Sequence, residues 1–130
     1  MAKNKLLPLL FCFILLGSFV QKQADKKDSP LLRHVVMFQF TEKATAAEIR
    51  KVADAFRALP EKIKEIKGFE WGVNNSPEKL NQGMTHCFFL TFESEKDRDA
   101  YLVHPAHKAF GDLLKPIFEK ATVLDYWVHK

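Results

Sequence analysis

Ten residues, Leu32-Arg-His-Val-Val-Met-Phe-Gln-Phe-Thr41, restrict the folds open to this chain more than any other stretch. The run is rich in β-branched and aromatic side chains and reads as a strand. Alternation puts His34, Val36, Phe38 and Phe40 on one face and Val35 and Met37 on the other. Both faces are apolar, so both must be covered. A chain of 130 residues builds one modest core, and its own helices can cover one sheet face. The other face needs a partner.

The remaining segments supply the helices and the rest of the sheet. Thr45-Ala-Ala-Glu48 is a capping box, and Ile49, Val52, Ala53, Phe56, Leu59, Ile63 and Ile66 follow at helical spacing. Pro60 is expected to split this helix near Leu59, and Gly68 to end it. Phe69, Trp71 and Val73 alternate in a second strand, which Asn74-Asn-Ser-Pro77 turns out into a polar loop reaching Gly83. Thr85–Glu93 reads as a third strand, with His86, Phe88, Leu90 and Phe92 on one face and Cys87, Phe89 and Thr91 on the other. Ser94 caps a short helix through Leu102, a second helix is expected over His104–Phe118, and Thr122–Val128 reads as a last strand. The order is β-α-β-β-α-β with the second helical region in two pieces, the ferredoxin-like α+β arrangement.

The N-terminus is separate from this body. A charged start, Met1–Lys5, precedes an apolar run over Leu6–Val20, the pattern of a secretory signal peptide and short for a membrane span. Residues 1–20 are therefore expected to be a leader or anchor, 21–30 a disordered linker and 31–130 the domain. The protein is expected to be exported, periplasmic or secreted, with membrane attachment only through an uncleaved leader. The leader and linker also explain the charge. Of 20 basic and 16 acidic side chains, Lys3, Lys5, Lys22, Lys26, Lys27 and Asp25 lie before residue 28, which leaves the body balanced. A neutral body without a basic stripe cannot neutralise phosphates, so nucleic acid is excluded as a partner. Cys12 falls in the leader and Cys87 in a strand, so no disulfide framework exists.

The chemistry-bearing stretch is Tyr101-Leu-Val-His104-Pro-Ala-His107-Lys-Ala-Phe110. Pro105 suits the first position of a helix, which puts His104 at the cap and His107 in the first turn, in line with Phe110 and Leu114. An imidazole on that apolar side is either a satisfied packing residue or a working group. His104 and His107 have i, i+3 spacing, but a cap position and no nearby third ligand argue against a metal. No cofactor motif is present.

These residues resemble a known family, the stress-responsive dimeric α/β-barrel domains. The likeness rests on His34-Val-Val, Gly83-Met-Thr-His86, Thr91-Phe-Glu93, the Tyr101–Phe110 stretch and Leu124-Asp-Tyr126, and so covers 32–127. It implies a ferredoxin-like protomer that pairs with its own copy to close a dimeric α/β barrel. The family includes a plant cyclase that closes a linear polyketide by an aldol reaction. By motif, its catalytic base corresponds to His107, the aspartate orienting that base to Asp125, and its pocket tyrosine to Tyr101. A strand-one histidine of the cyclase corresponds to His34. Phe56 stands where the cyclase carries a second pocket tyrosine. His34, Phe56, His86 and His104 are accordingly expected around a substrate, and the Asp125 carboxylate is expected against the His107 ring. The function this supports is a homodimer for binding, or for converting by His-based proton transfer, a small largely apolar organic molecule. The alternative is a non-catalytic stress or assembly protein in which the same histidines are structural.

Overall fold

A computed structural model describes residues 29–129. The expected leader, 1–20, and most of the linker lie outside them. Strand β1 spans Leu32–Phe40, helix α1 Ala46–Arg57, the single turn α2 Leu59–Lys62, β2 Gly68–Val73 and β3 His86–Phe92. Helix α3 follows over Glu95–Val103, α4 over Pro105–Leu114, a 3-10 turn over Lys115–Ile117 and β4 over Phe118–Trp127. The strands form one antiparallel sheet in the order β2-β3-β1-β4. This is the ferredoxin-like α+β fold.

Local chemistry sets most of the boundaries. Thr45 caps α1 through the expected reciprocal box: its hydroxyl accepts from the Glu48 amide, and Glu48 accepts from the Thr45 amide. Pro60 splits the first helical region as expected, sitting in the opening turn of α2. Helix is lost at Lys62, however, and Gly68 opens β2 rather than closing a helix. There Gly68 lies against Thr91, whose Oγ1 is 3.0 Å from where a Cβ would be, so a side chain at this position would crowd Thr91. The expected helix to Phe118 is also shorter. Pro116 cannot donate an amide, so the last turn tightens to 3-10 at Lys115, and β4 begins at Phe118, four residues before the expected Thr122.

The helices cover one sheet face. Leu32, His34, Val36, Phe38 and Phe40 are buried there, while Arg33, Val35, Met37 and Gln39 on the opposite face are half-buried. Phe88, Leu90 and Phe92 of β3 are fully buried on the helix side. Phe88 stacks on Phe56 at 4.2 Å between ring centroids, with Phe38 at 5.6 Å and Trp71 at 5.8 Å. The outer face presents Val35, Met37, Cys87, Phe89 and Leu124 side by side, since the register pairs Val35 with Phe89 and Leu124 and Met37 with Cys87. No element among the described residues is packed over it as α1 and α4 are packed over the inner face.

Phe88 is fully buried and stacks directly on Phe56 of α1. Phe88→Ala should lower stability by about 3–5 kcal/mol, the usual range for removing a core aromatic. Urea denaturation followed by tryptophan fluorescence measures it. A loss below about 1 kcal/mol would show that the site collapses around the gap.

Candidate functional site

The register of β1 against β4 builds the centre of the site. His34 is the direct cross-strand partner of Asp125, so the two side chains emerge side by side on the helix face. His34 Nδ1 lies 2.5 Å from Asp125 Oδ1. A carboxylate only accepts, so Nδ1 carries a proton, and in the neutral ring Nε2 is then the acceptor. The second oxygen, Oδ2, accepts from Arg98 Nη1 at 2.9 Å. Arg98 comes from the first turn of α3, whose Ser94 cap accepts from the Asp97 amide. Its Nε and Nη2 both donate to Asp99, at 3.0 and 2.8 Å. The imidazole is buried, whereas the side chains of Arg98 and Asp125 are 20% and 28% exposed. The trio therefore runs from the interior to the surface.

Asp125 is thus engaged by His34 and Arg98, and not by His107 as expected from the resemblance. Cross-strand neighbours are held about 5 Å apart at Cβ by the ladder itself, which favours His34 over a ring on another layer. His107 has a different anchor. Helix α3 ends at Val103, and the Ala106 amide, which would otherwise serve the Leu102 carbonyl, donates to His104 Nδ1 at 3.1 Å. The orphaned Leu102 carbonyl accepts instead from His107 Nδ1 at 3.1 Å. The His107 ring, like that of His34, is left with Nε2 as its acceptor. Burial lowers its pKa, the Leu102 hydrogen bond works against this, and nearby His34 adds a smaller lowering.

Tyr101 lies between the two imidazoles. Its ring is 5.6 Å from His34 and 4.4 Å from His107, centroid to centroid, with Phe92 at 5.3 Å. The residue is fully buried, yet its hydroxyl has no hydrogen-bond partner. Burial, and secondarily the Asp125 charge, raise its pKa far above the ordinary phenol value. This phenol stays protonated and acts as a donor. An unsatisfied buried hydroxyl costs about 1–3 kcal/mol, so it favours whatever acceptor reaches it.

The structure therefore gathers His34, Tyr101, His107 and Asp125, and adds Arg98. It does not bring the other expected residues to the same point. His104 is the cap of α4. Phe56 is in the aromatic core, 4.7 Å from Phe110. His86 pairs across from Phe38, about four residues or 13 Å along the strand from His34. Its ring sits against Phe40 and Trp71 and near the Thr85 hydroxyl. His86 instead borders an open, largely apolar groove of about 220 Å³ with Met37, Met84 and Cys87. Arg98 was missed from sequence, although it precedes Tyr101 by one helical turn and so shares its face. Among the described residues, no group of three His, Cys, Asp or Glu side chains is placed to hold a metal ion.

Comparison with known proteins agrees with this frame. The profile of the stress responsive A/B barrel domain family matches residues 32–128. The stress-response A/B barrel domain-containing protein HS1 of Arabidopsis thaliana is 34% identical over 95 residues, 73% of this chain and 87% of that protein. Olivetolic acid cyclase of Cannabis sativa is 29% identical over 99 residues, 76% of this chain and 98% of the cyclase. Among solved structures, the hydroxynitrile lyase of Passiflora edulis superposes with a TM-score of 0.73 at 25% identity, covering 78% of this chain and 96% of the lyase. A dimeric ferredoxin-like protein of unknown function from Bacteroides fragilis gives 0.63 at 27% identity, covering 75% and 96%.

Two half-buried histidines set an acid limit on stability. Burial lowers the pKa of both His86 and His107 from the ordinary 6.5. The unfolded chain then binds protons more readily than the folded one, so stability is fully present above about pH 6.5 and declines as pH falls through the lower folded values. His107→Gln should flatten this decline in urea midpoints measured from neutral to mildly acidic pH. An unchanged slope would show that other groups govern acid unfolding.

Proposed function

We propose, since this chain belongs to the stress responsive A/B barrel domain family, that it binds a small, largely apolar organic molecule beside Tyr101 and transfers a proton on it. The observation that carries this reading is the Tyr101 hydroxyl, fully buried and without an acceptor between two imidazoles. A carbonyl or hydroxyl oxygen of a ligand would complete it. The surroundings, Phe92 and Phe110 among them, suit an apolar body. His107 is the base: burial keeps its ring unprotonated near neutrality, and the Leu102 carbonyl fixes the tautomer that leaves Nε2 open. Nε2 takes a proton from carbon next to the carbonyl, the C–H electron pair moves onto the carbonyl oxygen, and Tyr101 donates a hydrogen bond to that oxygen. The imidazolium returns the proton to product, so the cycle needs no oxidant or cofactor. Asp125 acts on His34, the second imidazole beside the tyrosine. A cyclase and a lyase among the similar proteins support this reaction class.

The test is mass spectrometry of small molecules retained by the purified chain. Retention should fall about tenfold in Tyr101→Phe, the effect of one hydrogen bond to a buried donor. Equal retention by the variant, or none by the wild type, would favour the alternative of a non-catalytic protein. The mutual satisfaction of Asp125, His34 and Arg98 is the observation behind that alternative.

The reading includes assembly and export. The apolar outer sheet face, and the dimeric protein of Bacteroides fragilis with the same fold, support a homodimer in which this face closes a barrel against its copy. The apolar run at 6–20 supports export. Met37→Glu places a carboxylate on the face to be buried, so it should convert the dimer to monomer or aggregate. Sedimentation of a well-folded wild-type monomer at micromolar concentration would refute the assembly.

A further inference from the structure

The geometry points to Arg98 as a positioning residue that clamps Asp125 onto His34 and so fixes His34 as a second proton acceptor beside Tyr101. This rests on the proton-transfer reading of the site, and assigns it a part that neither the sequence motifs nor the family likeness contains. Asp125 has two oxygens with two jobs: Oδ1 holds His34 Nδ1 at 2.5 Å, and Oδ2 is held by Arg98 Nη1 at 2.9 Å. The carboxylate comes from β4, an edge strand whose neighbours Val123 and Leu124 are more than half exposed. At 28% exposed, the Asp125 side chain can turn to water unless a partner holds its second oxygen. The guanidinium does so, because its rigid fork is fastened at its far side to Asp99 through Nε and Nη2. A lysine has one head and can reach only one of the two carboxylates. The buried imidazole is the beneficiary: with Oδ1 in place the neutral ring keeps its proton on Nδ1 and leaves Nε2 as the acceptor. Without it the ring is free to exchange tautomers, and Nε2 spends part of its time protonated and useless as a base.

Ring nitrogen-15 signals of His34 test this in the full chain without any ligand, so failure of the clamp and failure of ligand retention are separate results. At the alkaline limit of a titration, wild type should show the Nδ1–H tautomer. Arg98→Gln should lower the tautomer ratio on the order of tenfold, the size set by losing a charge-assisted hydrogen bond. Arg98→Lys should recover part of it. Asp99→Asn, an exposed change that leaves Arg98 in place, should shift the ratio in the same direction by less, and serves if Arg98→Gln does not fold. A His34 tautomer unchanged in these folded variants, or already mixed in wild type, overturns the inference. A purely structural ion pair would lower thermal stability in Arg98→Gln and leave the ring signals where they were.

Discussion

Strand β1 is hydrogen-bonded along both edges, to β3 on one side and β4 on the other. Its register therefore fixes two ladders at once, and with them the direction of every side chain that matters. A slip of one residue would turn His34, Val36 and Phe38 to the outer face and bring Val35 and Met37 under the helices. Such a slip is opposed by burial of the aromatic cluster around Phe88 and by the His34–Asp125 pair, which exists in one register only. The core and the site thus share a single constraint. Changes that relax one loosen the other.

Within the site, the polar groups fall into two kinds. Asp125, Arg98 and the Nδ1 atoms of both histidines have protein partners. The Tyr101 hydroxyl has none. In a low-dielectric interior, satisfied groups hold geometry and unsatisfied ones carry a cost. The arrangement places three fixed elements, the two imidazoles and the phenol ring, around one atom with unmet demand. That contrast, more than the presence of histidines, distinguishes this region from the neighbourhood of His86, where Thr85, Phe40 and Trp71 surround the ring.

Much of this was legible in sequence. The two-faced β1, the capping box at Thr45, the break at Pro60 and the paired helices around His104-Pro105 all follow from short-range rules, and the structure has each of them. Helix ends were less legible. The residues after Lys62 keep an apolar spacing that fits a helix, yet Ile63 and Ile66 reach the core from irregular backbone. The partner of Asp125 was misassigned because it depends on register between the first and last strands, which no local pattern reports. Flush pairing of the chain ends would have given it: Leu32 sits opposite Trp127, and counting inward from there aligns His34 with Asp125. Arg98 escaped notice because surface arginines are common and only its two carboxylates reveal its use.

The two ends of the domain are stitched together, the Val128 amide donating to the Leu31 carbonyl at 2.9 Å. The His34–Asp125 contact lies three residues inside that stitch and joins positions 91 residues apart in the chain. Along the domain the first strand brings the histidine, the helices and the tyrosine follow, and the carboxylate belongs to the fourth strand. A nascent chain can thus bury most of its core before it holds the complete polar trio. The trio is complete only once β4 has docked on β1, so a product cut short before β4 would keep most of the buried core and lack the polar trio.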